Sequence, residues 1–452
     1  MKLQNVILAD EPSGSRWDLE VSDGRLQTKE ATKADPEAPS SLLLPPLCHP
    51  HIHLDKSYLL TCNHAPSGPH PDYTDLVPQS GSFGEALANT SRAKERYTSE
   101  DLYLRGSQLL ATSYQQGVTS MRAFVELDHV AGTLPLQAAI RLQQDFSHLV
   151  QVQICAFAQD PVFSTGHGEE NRATVEKALR EFGPFIDALG SAPYVEQCED
   201  EAIKNIDWAI RTALEHGLHL DFHLDYNLDG SAAFLLDPVI ALLGDHQWSR
   251  RAEKSKTIAI GHCSHLTTLP TRKILDVANT IRRQDLPVHF VGLPTSDLFM
   301  MGRPGEKETR PHSRPRGTLQ VPSMIKDFGL SACLGTNNVG NAFTPYGTGD
   351  PLQLACWGVG LFQAGTVDDA ELLFASVSSG AREAIGLPNV GYGERMEKGS
   401  AWRPMLLIKN MATTRVPSKA GHVECRIPAR QRLSIKDVVW DPPETSLRSV
   451  VG

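Results

Sequence analysis

From residue 42 onward, eight short apolar runs alternate with amphipathic stretches long enough to be helices, and turn-rich, strand-like segments flank this array at both ends of the chain. In a chain of 452 residues that is 40% hydrophobic, these observations predict an α/β protein. The expected form is a distorted TIM-type (β/α)8 barrel with a small β-sandwich domain built from the N- and C-terminal segments.

Residues 1–41 form the N-terminal part of the small domain: two strand-like segments, KLQNVILA and RWDLEVSDGRLQ, then the connector TKEATKADPEAPSS, rich in turn formers. The barrel is expected over 42–392. Its strands fall at 42–48 (LLLPPLC), 118–125, 151–158, 184–189 (PFIDAL), 219–224 (HLDFHL), 257–262, 287–293 and 330–335. Segments of helical period, such as DLYLRGSQLLATSYQQ and EAIKNIDWAIRTALEH, separate them. From 393 to 452 the pattern returns to strand and turn, completing the small domain. Two connections are long: 57–99, with a helix candidate FGEALANTSRAKERY, and the basic, Gly- and Pro-rich 302–318. Long loops at the functional end of a barrel serve as lids or as solvated insertions.

A net charge of −10 and a pI near 5.9 argue against a nucleic-acid surface. No run of 18 apolar residues occurs, and the first residues lack the pattern of a signal peptide, so a soluble cytoplasmic protein with no membrane partner is expected. The eight cysteines lack CxxC spacing and read as buried free thiols.

The chemistry collects at predicted strand ends, where a barrel of this type builds its active site. His51 and His53 stand at i,i+2 after the first apolar run, so strand alternation turns both imidazoles the same way and makes half of a divalent-metal site. His223 ends the fifth strand on the face of His219, Asp221 and Asp225, and His262 ends the sixth. Asp350, before Pro351, reads as a helix N-cap. Arg122 and Glu126 on the second strand read as members of an internal ion pair. Lys56 either reaches the pocket or pairs with Asp55, and His49 reads as a packing residue.

These motifs in this order (PHIHLDK at 50–56, DFHLD, GHCS and the PYG of NAFTPYG) resemble the amidohydrolase superfamily and, within it, the cytosine deaminase-like group. The resemblance spans nearly the whole chain. It implies that His51, His53 and His223 are ligands of one divalent metal ion, Zn or Fe, and that His262 contacts the attacking water and the substrate. It further implies substrate-binding roles for Gln159, in AFAQD, and Phe343, with Asn338 beside them. Two departures stand out. The family's strand-eight aspartate falls on Asn337, whose amide can offer a carbonyl oxygen to a metal but is not a base. The proton-shuttling glutamate falls on Tyr226, an acid with an ordinary pKa of about 10.

The expected function is therefore metal-dependent hydrolysis of a C–N bond in a small cyclic amide, amidine or aminated heterocycle. His262 is the expected general base, Asp225 orients His223 or its neighbours, and Tyr226 or Asp225 protonates the leaving nitrogen. The alternatives are non-hydrolytic chemistry (isomerisation, elimination or cyclisation) on the same site, or a catalytically inactive small-molecule binding protein. The substrate is expected to be a small molecule, and a homo-oligomer is compatible with the resemblance.

Overall fold

The computed structural model of the protein describes residues 1–12, 14–61, 70–303, 316–389, 396–419 and 424–452. In chain order its strands are β1 (Lys2–Leu8), β2 (Trp17–Ser22), β3 (Arg25–Ala31), β4 (Ser41–Leu44), β5 (Leu47–His53), β6 (Val118–Glu126), β7 (Gln151–Ala158) and β8 (Ala188–Ser191), followed by β9 (His219–Leu224), β10 (Ile258–His262), β11 (Val288–Gly292), β12 (Ser331–Leu334), β13 (Met405–Ile408), β14 (Thr413–Pro417), β15 (Glu424–Pro428) and β16 (Arg448–Val451). The helices are α1 (Phe83–Lys94), α2 (Ser99–Gln116), α3 (Leu134–Asp145), α4 (Gly168–Phe182), α5 (Glu199–His216), α6 (Leu236–Asp245) and α7 (Trp248–Arg251), then α8 (Thr271–Arg283), α9 (Pro294–Met300), α10 (Val321–Lys326), α11 (Pro351–Leu361), α12 (Val367–Ser376), α13 (Ser379–Ala384) and α14 (Ile435–Trp440).

Strands β5 to β12 form one sheet in sequence order, every pairing parallel. Strands such as β6 and β9 are buried along their whole length, as a parallel sheet covered on both faces requires, and their charged residues Arg122 and Asp221 pair with each other inside. The sheet closes at the C-terminal end of β5 through an Ile52–Asn337 bridge, in which the His53 N–H donates to the Asn337 carbonyl (2.8 Å) and the Asn337 N–H to that of His51 (3.0 Å). At the opposite end α13 plugs the barrel: Thr257 Oγ1 donates to the Ala384 carbonyl (2.8 Å), and Gln153 Nε2 (2.9 Å) and Arg122 (3.2 Å) donate to that of Ile385.

The predicted first strand is divided. Leu42–Leu44 belong to β4 of the terminal sheet, and Pro45 and Pro46, which cannot donate to a ladder, separate them from β5. The fourth strand lies at Ala188–Ser191, later than predicted, because Gly183–Phe185 forms a 3₁₀ turn.

The terminal segments build the small β unit expected from the two ends of the chain, its strands joined in one six-stranded sheet, β16-β13-β4-β1-β2-β3. Alternation divides its faces: Leu43, Leu407, Val6 and Leu8 join the sheet's own apolar cluster, whereas Leu42, Leu44, Leu406 and Ile408 pack into the barrel's core. Gly117, the left-handed C-cap of α2 (φ +100°), lets the two units touch, since a Cβ there would meet Leu406 Cδ1 at 2.7 Å. The β14–β15 hairpin stands apart and is exposed.

Helix α1 lies within the candidate FGEALANTSRAKERY, and Asp350 caps α11 by accepting the Leu352 N–H while pairing with Arg448 (2.8 Å). Of the cysteines, Cys48, Cys155, Cys263 and Cys333 are buried free thiols, Cys356 is half-buried, and Cys198 and Cys425 are exposed, which corrects the uniform expectation; Cys62 lies outside the described residues. So does most of the 302–318 connection. Among the described residues no helix is long and apolar enough to cross a membrane.

Candidate metal centre at the mouth of the barrel

His51 and His53 at the end of β5 and His223 on β9 converge as the sequence spacing predicts. Their ligand atoms all lie within 4.8 Å of one another. The Nε2 atoms of His51 and His53 stand 3.0 and 3.1 Å from that of His223. Phe124 packs against His51 (4.1 Å between ring centroids) and Phe157 stacks on His223 (4.3 Å), so the rings are held from below. Gly261, paired with His223 across the sheet, has a sequence-level reason: a Cβ there would come 2.8 Å from His51 Cε1.

Burial pushes all three histidines well below the usual imidazole range, so they are neutral, and each carries one lone pair. His223 Nε2 faces two other nitrogens and can share a proton with only one of them. Three converging Nε2 atoms are therefore mutually unsatisfied unless a cation lies between them. A tetrahedral ion about 2.0–2.1 Å from each would set the nitrogens roughly 3.3 Å apart, close to the spacing found. The donor set fits a divalent metal.

Asn337 occupies the barrel seam beside this cluster with a left-handed backbone (φ +65°). Its Nδ2 lies 3.3 Å from His262 Nε2, its side chain also reaches His51, and its buried Oδ1 has no hydrogen-bond partner. His262, at φ +64°, is fixed on three sides. Tyr226 stacks on its ring at 3.7 Å, Asn337 meets Nε2, and its Nδ1 lies 2.8 Å from the Asp297 carboxylate on α9. Asp297 was not anticipated. In the segment LPTSDLF an acidic residue in the first turn of a short helix reads as a helix-dipole partner, and only the tertiary fold brings it against His262.

Above the cluster, Phe83, Tyr194, Tyr226 and Phe343 form an aromatic wall with centroid spacings of 5.8–6.2 Å. Tyr226 Oη and Gln159 Nε2 are buried there without a hydrogen-bond partner. Burial raises the Tyr226 phenol well above its usual pKa, so it keeps its proton and can donate it in a hydrogen bond. Lys56, itself buried, lies 4.6 Å from the Phe343 ring centroid and bonds Glu126 Oε1 (2.5 Å), not Asp55.

The remaining residues singled out in the sequence are placed as follows. Asp225 turns away at φ +47° and accepts the N–H groups of Leu235 (2.9 Å) and Leu236 (3.1 Å). It braces the loop into α6 and does not orient His223; burial pushes its pKa up to about 7. Asn338 Oδ1 accepts from Asn341 Nδ2 (2.8 Å), within a small cavity lined also by Thr295, Thr344 and Tyr346. Arg122 and Glu126 do not pair with each other: Arg122 meets Asp221 (3.0 Å), and Glu126 meets Lys56 and Lys94. His49 is a packing residue, buried against Ser113 and Thr336 and held down at about 3 by desolvation.

No family model matches the chain. Among curated proteins, the N-isopropylammelide isopropyl amidohydrolase of Pseudomonas sp. (strain ADP) is 22% identical over 402 residues, 88% of each chain. Among solved structures, 5-methylcytosine deaminase from Klebsiella pneumoniae liganded with 5-fluorocytosine superposes with a TM-score of 0.74 at 20% identity, covering 90% of this chain and 91% of that one. The N-isopropylammelide isopropylaminohydrolase of Burkholderia multivorans ATCC 17616 gives a TM-score of 0.67 at 19% identity, with coverage of 100% and 96%. In its fold, the chain is similar to this deaminase and to this isopropylaminohydrolase.

Proposed function

We propose that the protein is a metal-dependent hydrolase of a C–N bond in a small cyclic amide, amidine or aminated heterocycle. The observation that carries this reading is the convergence of three neutral Nε2 atoms beside His262 at the mouth of the barrel. His51, His53 and His223 would hold one divalent ion, Zn or Fe, with the Asn337 side-chain oxygen Oδ1 beside them. When bound, such an ion supplies Lewis acidity and brings the pKa of water near neutrality.

The chain's own groups do the rest. His262 Nε2 accepts the proton of a water as its oxygen adds to the carbon that bears the leaving nitrogen. The resulting imidazolium then returns that proton to the nitrogen as the C–N bond breaks, and His262 ends neutral. The aromatic wall of Phe83, Tyr226 and Phe343 accepts a planar ring by stacking. Gln159, beside Tyr194, and the buried Tyr226 hydroxyl supply hydrogen bonds to its polar edge. The surface charge and buried thiols fit a cytoplasmic setting, and a homo-oligomer remains part of the reading.

Asn337 in place of a carboxylate gives weight to a second reading, non-hydrolytic chemistry on the same ring. Assay of cyclic amidines, N-substituted amides and aminated heterocycles for released amine, with ¹⁸O-labelled water, separates the two. Hydrolysis incorporates label into the product and depends on His262. Turnover without label or amine overturns the hydrolase.

A further inference from the structure

We propose that Asp297 is a positioning residue that fixes the His262 tautomer and, through it, the direction of the Asn337 amide, leaving the Asn337 carbonyl oxygen for the metal corner. The catalytic consequence rests on the reading of His262 as proton acceptor; the tautomer rests on geometry alone.

The carboxylate of Asp297 is fully buried, and both of its oxygens are engaged. Oδ1 lies 2.8 Å from His262 Nδ1, and Oδ2 accepts the Thr318 hydroxyl at 2.6 Å. A carboxylate oxygen only accepts, so Nδ1 carries a proton, and in the neutral ring Nε2 keeps its lone pair. The atom that faces Nε2 must then be a donor. At 3.3 Å that atom belongs to the Asn337 amide, so its NH₂ points at His262. In the neutral ring, the opposite amide orientation would demand the proton on Nε2 and set a bare Nδ1 against a carboxylate. With the NH₂ thus assigned, Asn337 Oδ1 turns away from His262, buried and unpartnered, beside His51.

The device is rigid. Thr295 Oγ1 donates to the Thr336 carbonyl (2.8 Å) and Ser296 Oγ meets Thr344 Oγ1 (2.7 Å), which ties α9 to the β12 loop that carries Asn337. Tyr226 closes the other face of the imidazole. The carboxylate absent at position 337 thus has a counterpart on the far side of His262, where it sets which nitrogen accepts a proton but takes none itself.

The test is long-range ¹H–¹⁵N correlation NMR on Zn-loaded, ¹⁵N-histidine-labelled protein, with His262 assigned by its absence in His262→Gln. The expected result is an Nδ1–H, bare-Nε2 imidazole in the wild type. Asp297→Asn, whose amide can donate to Nδ1, is expected to shift the population toward Nε2–H and to lower kcat about 10²–10⁴-fold with KM little changed and no rescue at higher pH. Thr318→Val keeps the tautomer. A wild-type Nε2–H tautomer, or an unchanged tautomer in Asp297→Asn, overturns the proposal. The wild-type spectrum decides alone if that variant does not fold, and it does so whether or not the protein proves to be a hydrolase.

Discussion

Two residues four positions apart on β9, His219 and His223, are both buried neutral imidazoles with different tasks. His223 offers its Nε2 to the cluster, whereas His219 Nδ1 accepts the Thr257 N–H (3.0 Å) at the other end of the strand. Burial, aided by the Arg122 charge, holds His219 at about 2 and His289 at about 4. The unfolded chain protonates both near 6.5, so their contribution to stability is full above that pH. It is lost as pH falls through the interval down to about 4 and, for His219, about 2, at about 1.4 kcal/mol per pH unit for each. Asp221 and Asp225, pushed up to about 7 by burial, act with the opposite sign, their contribution full at low pH and lost as pH rises through 7. The expected outcome is therefore a difference: denaturant unfolding of His219→Asn loses less stability than the wild type between pH 6.5 and 4.5, and parallel curves would refute it. The histidines were legible because a period of two forces His51 and His53 onto one face. Asp225 was misleading for the converse reason: its neighbour in sequence is His223, but a left-handed turn aims its carboxylate at the start of α6.

At the scale of elements, Arg122 is the interior clamp of the barrel's lower half. From β6 it reaches Asp221 on β9 (3.0 Å), Gln153 on β7 (3.2 Å) and the Ile385 carbonyl after α13 (3.2 Å), all without solvent. Arg122→Met leaves the Asp221 carboxylate buried and unpaired, which is expected to cost about 3–5 kcal/mol in urea unfolding. Arg122→Met with Asp221→Leu is expected to recover much of it, and a single-variant loss under about 1 kcal/mol would show that the pair is not the clamp. The alternation of apolar runs and helical segments announced the eight strands, but not their limits. Two prolines divided the first run between two sheets, and the partners of Arg122 lie 31 or more positions away, which no local period encodes.

For the whole molecule, closure of the barrel and assembly of the site are one event. The seam between β5 and β12 is made by the backbone of His51, His53 and Asn337, the residues whose side chains surround the proposed ion. A six-stranded sheet of both termini then locks onto the barrel through alternate leucines. The sequence motifs made the barrel, the terminal β unit and the histidines legible; that one face of the terminal sheet packs into the barrel's core was not, because strand alternation does not say what each face meets. The most direct test is elemental analysis of the gently purified wild type, His223→Ala and His262→Ala. About one equivalent of Zn, Fe or Mn is predicted in the wild type and in His262→Ala, with less than about a tenth of an equivalent in His223→Ala. A wild type with less than about a tenth, or a His223→Ala variant that holds as much metal as the wild type, would contradict a metal centre built on these three histidines.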